Sequence, residues 1–313
     1  MSNLSTLEVM VIGERHVGIF FFPRAPFVIL CEGVAFRLYK GAVKLVAPGL
    51  TRKLVQAQPS MSSQNPIIVT LPHDGEAFED FLSCVLDGFN NILICNYGIR
   101  PKSETGQRLL ARLISLCRLA FDYSSASILK KGLYCIQNSF MDLKDLPDLT
   151  GLVKQLLDLA TDIGNIPMKA KLRYIIAFKN RTLLSSVSRS ERTRIGVGRA
   201  RLLKRISNFT VLTKEPASDC KNKSDVTGSP RVKYSYHPCY RSMSNVMHRL
   251  RNKTCQLEVT RCRDSLQDPA ELLEAIDVIM PAWDGCIPCR NKLRTAMLDV
   301  KDEVMCELDK YFG

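Results

Sequence analysis

The chain has 313 residues, 46% of them hydrophobic, and a formal net charge of +13. That much apolar material can fill one or two cores, and neither a low-complexity block nor a fixed-period repeat is present, so the chain reads as globular and not as disordered or solenoidal. The charge is uneven: 169–253 holds 21 Lys and Arg against Glu191, Glu215, Asp219 and Asp225, a surplus of 17, and the remainder sums to −4.

Val17 to Leu30 is interrupted by Pro23, Arg24 and Pro26 and falls short of the ~20 apolar residues a spanning helix needs. Met1 to Arg15 carries Glu8 and Glu14 and lacks the basic head of a secretory signal. The expected setting is therefore intracellular, cytoplasm or nucleus, with no membrane partner. In that setting Cys31, Cys84, Cys95, Cys117 and Cys135, each inside an apolar element, are expected to be reduced, buried thiols.

Taken in chain order, Glu8 to Phe22 and Pro26 to Lys40 read as strands rich in Val, Ile and Phe. The second is expected to fold into a hairpin, with arms Phe27 to Leu30 and Val34 to Leu38 and a turn in which Gly33 takes positive φ. From Gly41 to Ala57, apolar residues recur every three or four positions around Pro48 and Gly49, which predicts two short helices with a bend. Ile67 to Leu71 is a β-branched strand, and Asp74 is placed to cap a helix bearing Phe78, Phe81, Leu82 and Val85 and ending at Gly88. Helices follow at Gly106 to Ala120 and Ile128 to Phe140. The fold class expected is α+β.

These residues resemble the BTB/POZ domain family. The segment Val28 to Lys40, with Phe36, Leu38, Tyr39 and Lys40, is similar to the family's strand pair ending in Phe-x-Val-His-Lys. Val43, Ala47, Pro48 and Leu50 stand where the family has Leu, Ser, Pro and Phe. Phe78, Phe81, Leu82 and Gly88 match its Phe-x-x-Phe-Leu…Gly helix, and Ala120 and Tyr123 match Leu-Ala-x-x-Tyr. Tyr39 replaces the usual His, Cys84 and Leu86 replace Trp and Tyr, replacements expected to keep apolar character at core-like positions, and the customary Asp before the first strand is absent. Asp158 to Ala160 and Leu172-Arg173 resemble the extension of fungal members. The resemblance implies a small sheet packed on helical hairpins, followed by a mainly α-helical C-terminal region. The boundaries it suggests are a strand-like extension at 1–25, the BTB/POZ-like domain at 26–140, a helical extension at 141–212, a loop or linker at 213–235 and a helical region at 236–313.

Chemistry is sparse. Cys286-x-x-Cys289 can offer two thiolates to one tetrahedral ion, but a complete site needs two more ligands. His237, Cys239, Cys255 and Cys262 are available without forming a second close pair, so the expectation is no metal, with Cys286 and Cys289 the only candidates. Gly196-Val-Gly198 lacks the third glycine and the acidic partner of a dinucleotide loop. His16, His73, His237 and His248 have no catalytic context, so no enzyme activity and no cofactor are expected. The last helix, Asn291 to Phe312, is expected to carry one apolar stripe of Leu293, Met297, Val300, Val304, Leu308 and Tyr311.

The resemblance implies an adaptor of a family whose members pair with themselves, with other BTB domains or with cullin-type ubiquitin-ligase scaffolds, or that serves a transcriptional partner. Little or no homodimerisation is expected, because Glu8 to Phe22 does not resemble the helical dimer arm of dimeric members. The alternative is a nucleic-acid-associated regulator acting through the basic segment 169–253.

Overall fold

The computed structural model describes residues 16–57, 66–88, 103–140, 150–208, 220, 238–259, 273, 283 and 285–313. The chain separates into two compact units, Met1–Gly164 and Asn165–Gly313. The architecture is mixed α+β, with all of the described strands in the first unit.

Four strands form one sheet in the order β1-β3-β2-β4: β1 is His16–Phe21, β2 Phe27–Glu32, β3 Val34–Leu38 and β4 Ile67–Asp74. The hairpin is present as expected, with Cys31 opposite Val34 and Phe27 opposite Leu38, and Gly33 turns it at φ +75. That left-handed geometry costs glycine nothing and a side chain about 1 kcal/mol or more. Strand β4 runs parallel to β2, with Ile29 level with Val69. A parallel neighbour requires a crossover, and helices α1 (Lys40–Val43) and α2 (Pro48–Gln56) supply it. Phe27 to Cys31 are all buried because β2 is covered on both faces, whereas β4 buries only Val69 and Leu71. Strand β1 pairs with β3 in parallel; of the strand expected over Glu8 to Phe22, residues 8–15 lie outside the described residues.

Helix α3 (Gly75–Leu86) starts where Asp74 accepts a hydrogen bond from the Ala77 N–H at 2.9 Å. The chain leaves it through Gly88 at φ +71. Ser103 caps α4 (Glu104–Asp122), and α5 (Ala126–Phe140) and α6 (Thr150–Asp162) come next in the chain. Leu109, Leu110, Leu113, Ile114, Leu116 and Cys117 form the buried stripe read from the sequence. Across the α3/α4 contact, Arg112 grips Asp80 with two bonds of 2.9 and 2.6 Å. Gly49 donates its N–H to the Tyr123 carbonyl at 2.8 Å, and a Cβ there would lie 2.6 Å from the Tyr123 carbonyl carbon, so α2 can dock only with glycine at this point.

The second unit is helical. Helix α7 (Ile166–Phe178) is buried around most of its circumference and is followed by a 3-10 turn at Arg181–Ser185 and α8 (Arg189–Asn208). Helices α9 (Pro238–Val259), α10 (Ile287–Cys306) and α11 (Leu308–Phe312) complete it. Here the expectation of one helix from Asn291 to Phe312 is corrected. The helix breaks at Glu307, at φ −110 and ψ 23, and the short α11 buries Phe312 where Tyr311 had been expected. The Phe312 ring meets Tyr174 at 6.1 Å and Phe178 at 6.4 Å. Gly196 and Gly198 lie within α8, not in a nucleotide-binding loop. A Cβ on Gly198 would sit 2.7 Å from Phe312 Cε1. No helix among the described residues is long and apolar enough to cross a membrane.

Candidate functional site

Most of the residues that carry the family resemblance are scaffold. Phe36, Leu38, Phe78, Phe81, Leu82, Ala120 and Tyr123 are fully buried, and Phe36, Phe78, Phe81 and Tyr123 form a chain of ring contacts 5.3 to 6.2 Å apart. Such positions fix the packing of sheet on helices and are closed to a ligand. Lys40 is half-buried, and Tyr39 is 45% exposed with its ring 6.3 Å from that of the exposed Phe22. The expectation that the substitution at Tyr39 keeps a core position is therefore corrected: Tyr39 follows the last residue of β3 and points to the surface. Cys84, by contrast, is buried as expected.

His73 lies against this aromatic cluster, with Nε2 2.7 Å from the Tyr123 hydroxyl. Burial lowers the His73 pKa; Asp122 opposes that effect and Lys53 adds to it. Burial raises the Tyr123 phenol, helped by Cys31 and Asp122. Both shifts favour the neutral forms, so the pair is a part-buried structural hydrogen bond and not a poised acid and base. The thiols of Cys31 and Cys117 are each pushed up to about 12, chiefly by burial. They are inert packing groups. The side chain of Cys135 is likewise buried, and Cys95 lies outside the described residues.

The second unit assembles the one group of potential metal ligands found among the described residues. Cys220, Cys239, Cys286 and Cys289 bring their sulfurs within 4.8 Å of one another. Cys239 stands in the first turn of α9, Cys286 immediately precedes α10, Cys289 is in its first turn, and Cys220 comes from the connection between α8 and α9. The Sγ atoms of Cys220 and Cys239 are 3.7 Å apart and those of Cys220 and Cys286 are 3.6 Å apart. Cys220, Cys239 and Cys289 are buried, with Trp283 packed against them. The Cys286 N–H donates to the Cys239 sulfur at 3.1 Å, and the Trp283 indole N–H holds the Cys286 carbonyl at 3.2 Å. Gly285 permits this approach, since a Cβ there would lie 3.0 Å from the Cys239 Cα and 2.9 Å from the indole.

The sequence had singled out Cys286 and Cys289 as an incomplete pair. Packing adds two further candidate ligands: Cys239, one of the residues available in the sequence, and Cys220, in the stretch 213–235 expected to be a loop or linker. His237, Cys262 and the side chain of Cys255 lie outside the described residues. No local signal marks Cys220, because it stands 19 residues from Cys239 and 66 from Cys286 and meets them only through the packing of α9 and α10.

Compared with known proteins, the chain matches no family model, no curated protein and no solved structure.

Proposed function

We propose that the chain is a non-enzymatic protein-interaction module of the BTB/POZ type, an adaptor whose partner is another BTB domain or a cullin-type scaffold. The observation that carries this reading is the order of elements between Phe27 and Phe140. A hairpin leads through two short helices to a strand parallel with its first arm; a capped helix packs on the sheet, and a helical hairpin packs on that helix. Phe36, Leu38, Phe78, Phe81, Leu82, Ala120 and Tyr123 stand at the core positions that this arrangement requires.

The same unit leaves large apolar side chains in water, among them Ile19, Phe22, Tyr39 and Leu45, the last 92% exposed. Aromatic and branched side chains on an outer surface supply binding energy by losing contact with water, and a standard interface buries about 1,600 Å².

The test uses the full chain, titrated by calorimetry with cullin N-terminal scaffolds and with BTB domains. The reading expects micromolar or tighter binding to at least one of them. Replacing Phe22 and Tyr39 by Ser should weaken that binding at least tenfold with unchanged melting of the chain. If every member of both classes fails to bind, the reading is wrong.

A second reading has its own observation. Helix α8 exposes Arg189, Arg192, Arg194, Arg201 and Lys204, a concentration of cations that suits nucleic acid. It predicts binding whose logarithm falls with log salt by about 0.9 per phosphate neutralised. Replacing Arg194, Arg201 and Lys204 by Gln should reduce that slope; an unchanged slope refutes it.

A further inference from the structure

We propose that Cys220, Cys239, Cys286 and Cys289 bind a single Zn²⁺ ion as a closed tetrathiolate centre that holds the α9 and α10 ends of the second unit together. The site does not depend on the adaptor reading of the first unit.

The sulfur spacing separates the alternatives. A disulfide needs sulfurs at about 2.05 Å, and separations of 3.7 and 3.6 Å are far too long. An ion bonded to four sulfurs at about 2.3 Å places them about 3.8 Å apart along each edge of the tetrahedron. The cluster therefore already has the dimensions of a one-ion site. An iron–sulfide cluster needs its cysteine sulfurs farther apart than the 4.8 Å limit that encloses all four here. Soft thiolate donors in tetrahedral array select Zn²⁺ among the common divalent ions.

The surroundings suit charge on the sulfurs. Four thiolates around Zn²⁺ carry a net −2, formed as four thiols lose their protons to solvent: Zn²⁺ + 4 CysSH → [Zn(SCys)4]²⁻ + 4 H⁺. The N-terminal turn of α10 supplies Cys289, and that end of a helix carries partial positive charge. The Cys286 N–H bond to the Cys239 sulfur is the kind of outer contact that fixes a metal-bound thiolate. The segment 169–253, which contributes two of the ligands, has a surplus of 17 positive charges.

Four protein ligands leave no coordination position for water or substrate, which makes the centre structural. The buried cluster here consists of the four cysteines and Trp283, so an ion bound by the sulfurs would tie the starts of the two helices together. The ligands also join segments 19, 47 and 66 residues apart, closing long loops at one point.

The experiment is elemental analysis of the full chain, purified in the presence of zinc and passed over a mild chelating resin, together with Co²⁺ substitution. One zinc per chain is expected. Co²⁺ should give the visible d–d bands and sulfur-to-cobalt charge-transfer absorption of a tetrahedral tetrathiolate, and Zn²⁺ should bleach them. Cys220→Ser and Cys239→Ser should each weaken Co²⁺ binding at least tenfold, whereas Cys306→Ser, outside the cluster and exposed, should leave it unchanged. Should a cysteine variant fail to fold, the spectrum of the unsubstituted chain still decides. The proposal is overturned by a chain that carries no zinc and shows no tetrathiolate spectrum with Co²⁺, by a mass two hydrogens short for a disulfide among the four cysteines, or by an iron chromophore in place of zinc.

Discussion

Arg173 is 1% exposed, yet it is charged, and it sits in the middle of α7. Its guanidinium binds both oxygens of Glu191, through Nε and, at 3.1 Å, through Nη2, and it donates from Nη1 to the Phe312 carbonyl. One side chain thus ties α7 to the start of α8 and to α11. Replacing it with Met keeps much of the volume but leaves Glu191 charged and only 13% exposed, and breaking one side of a buried pair costs about 3–5 kcal/mol. Residual water access and the α8 N-terminus place Glu191 near the low end of that range, and the orphaned Phe312 carbonyl adds about 1 kcal/mol, so Arg173→Met should cost about 4 kcal/mol. The double variant Arg173→Met/Glu191→Leu removes the stranded charge as well and should cost only about 1–2 kcal/mol, because apolar replacement of a buried pair is near neutral. Urea unfolding followed by Trp283 fluorescence reads the second unit selectively, since the chain has a single Trp. A double variant as unstable as Arg173→Met, or a single variant costing under about 1 kcal/mol, would refute the reasoning.

The two glycines of α8 should respond in opposite directions. Gly196 has open space around a Cβ, so Gly196→Ala should stabilise the second unit by about 0.5–1 kcal/mol; Gly198→Ala should destabilise it, as the new methyl meets Phe312, and thermal melting distinguishes them. Asp74→Ala removes the side-chain cap of α3 and should cost the first unit about 1 kcal/mol by urea unfolding monitored by far-UV circular dichroism. For His73, the folded pKa lies below the ordinary 6.5, so the unfolded chain takes up the proton first. Its contribution is complete above pH 6.5 and is lost as pH falls through that value towards the lower folded one. His73→Gln should accordingly flatten the decline of first-unit stability between pH 7 and pH 5, and an unchanged slope would show that the ring titrates normally.

Local pattern was sufficient wherever one residue settles one element. The alternation from Phe27 to Leu38 with Gly33 between its arms, Asp74 ahead of Phe78 and Phe81, and the Leu109 to Cys117 stripe all have meaning without their neighbours, and each element stands where it was read. The end of the last helix was not legible, because Tyr311 and Phe312 are nearly equivalent in apolar character. The choice is made by the hollow that Gly198, Tyr174 and Phe178 provide, which no spacing reveals. Tyr39 was misplaced for a similar reason, since a strand ending at Leu38 releases the next side chain from alternation. The thiol centre was half legible. A Cys-x-x-Cys before a helix announces itself, whereas Cys220 and Cys239 acquire their relation from tertiary packing alone.

The position of β1 has a kinetic corollary. Among the described strands it pairs with β3 alone, so it can peel away while β3, β2 and β4 stay paired, and its amides should exchange with deuterium well before those of β2. In refolding the sequence reverses: the locally closed hairpin assembles early and serves as the template onto which β4 and β1 are zipped from opposite sides.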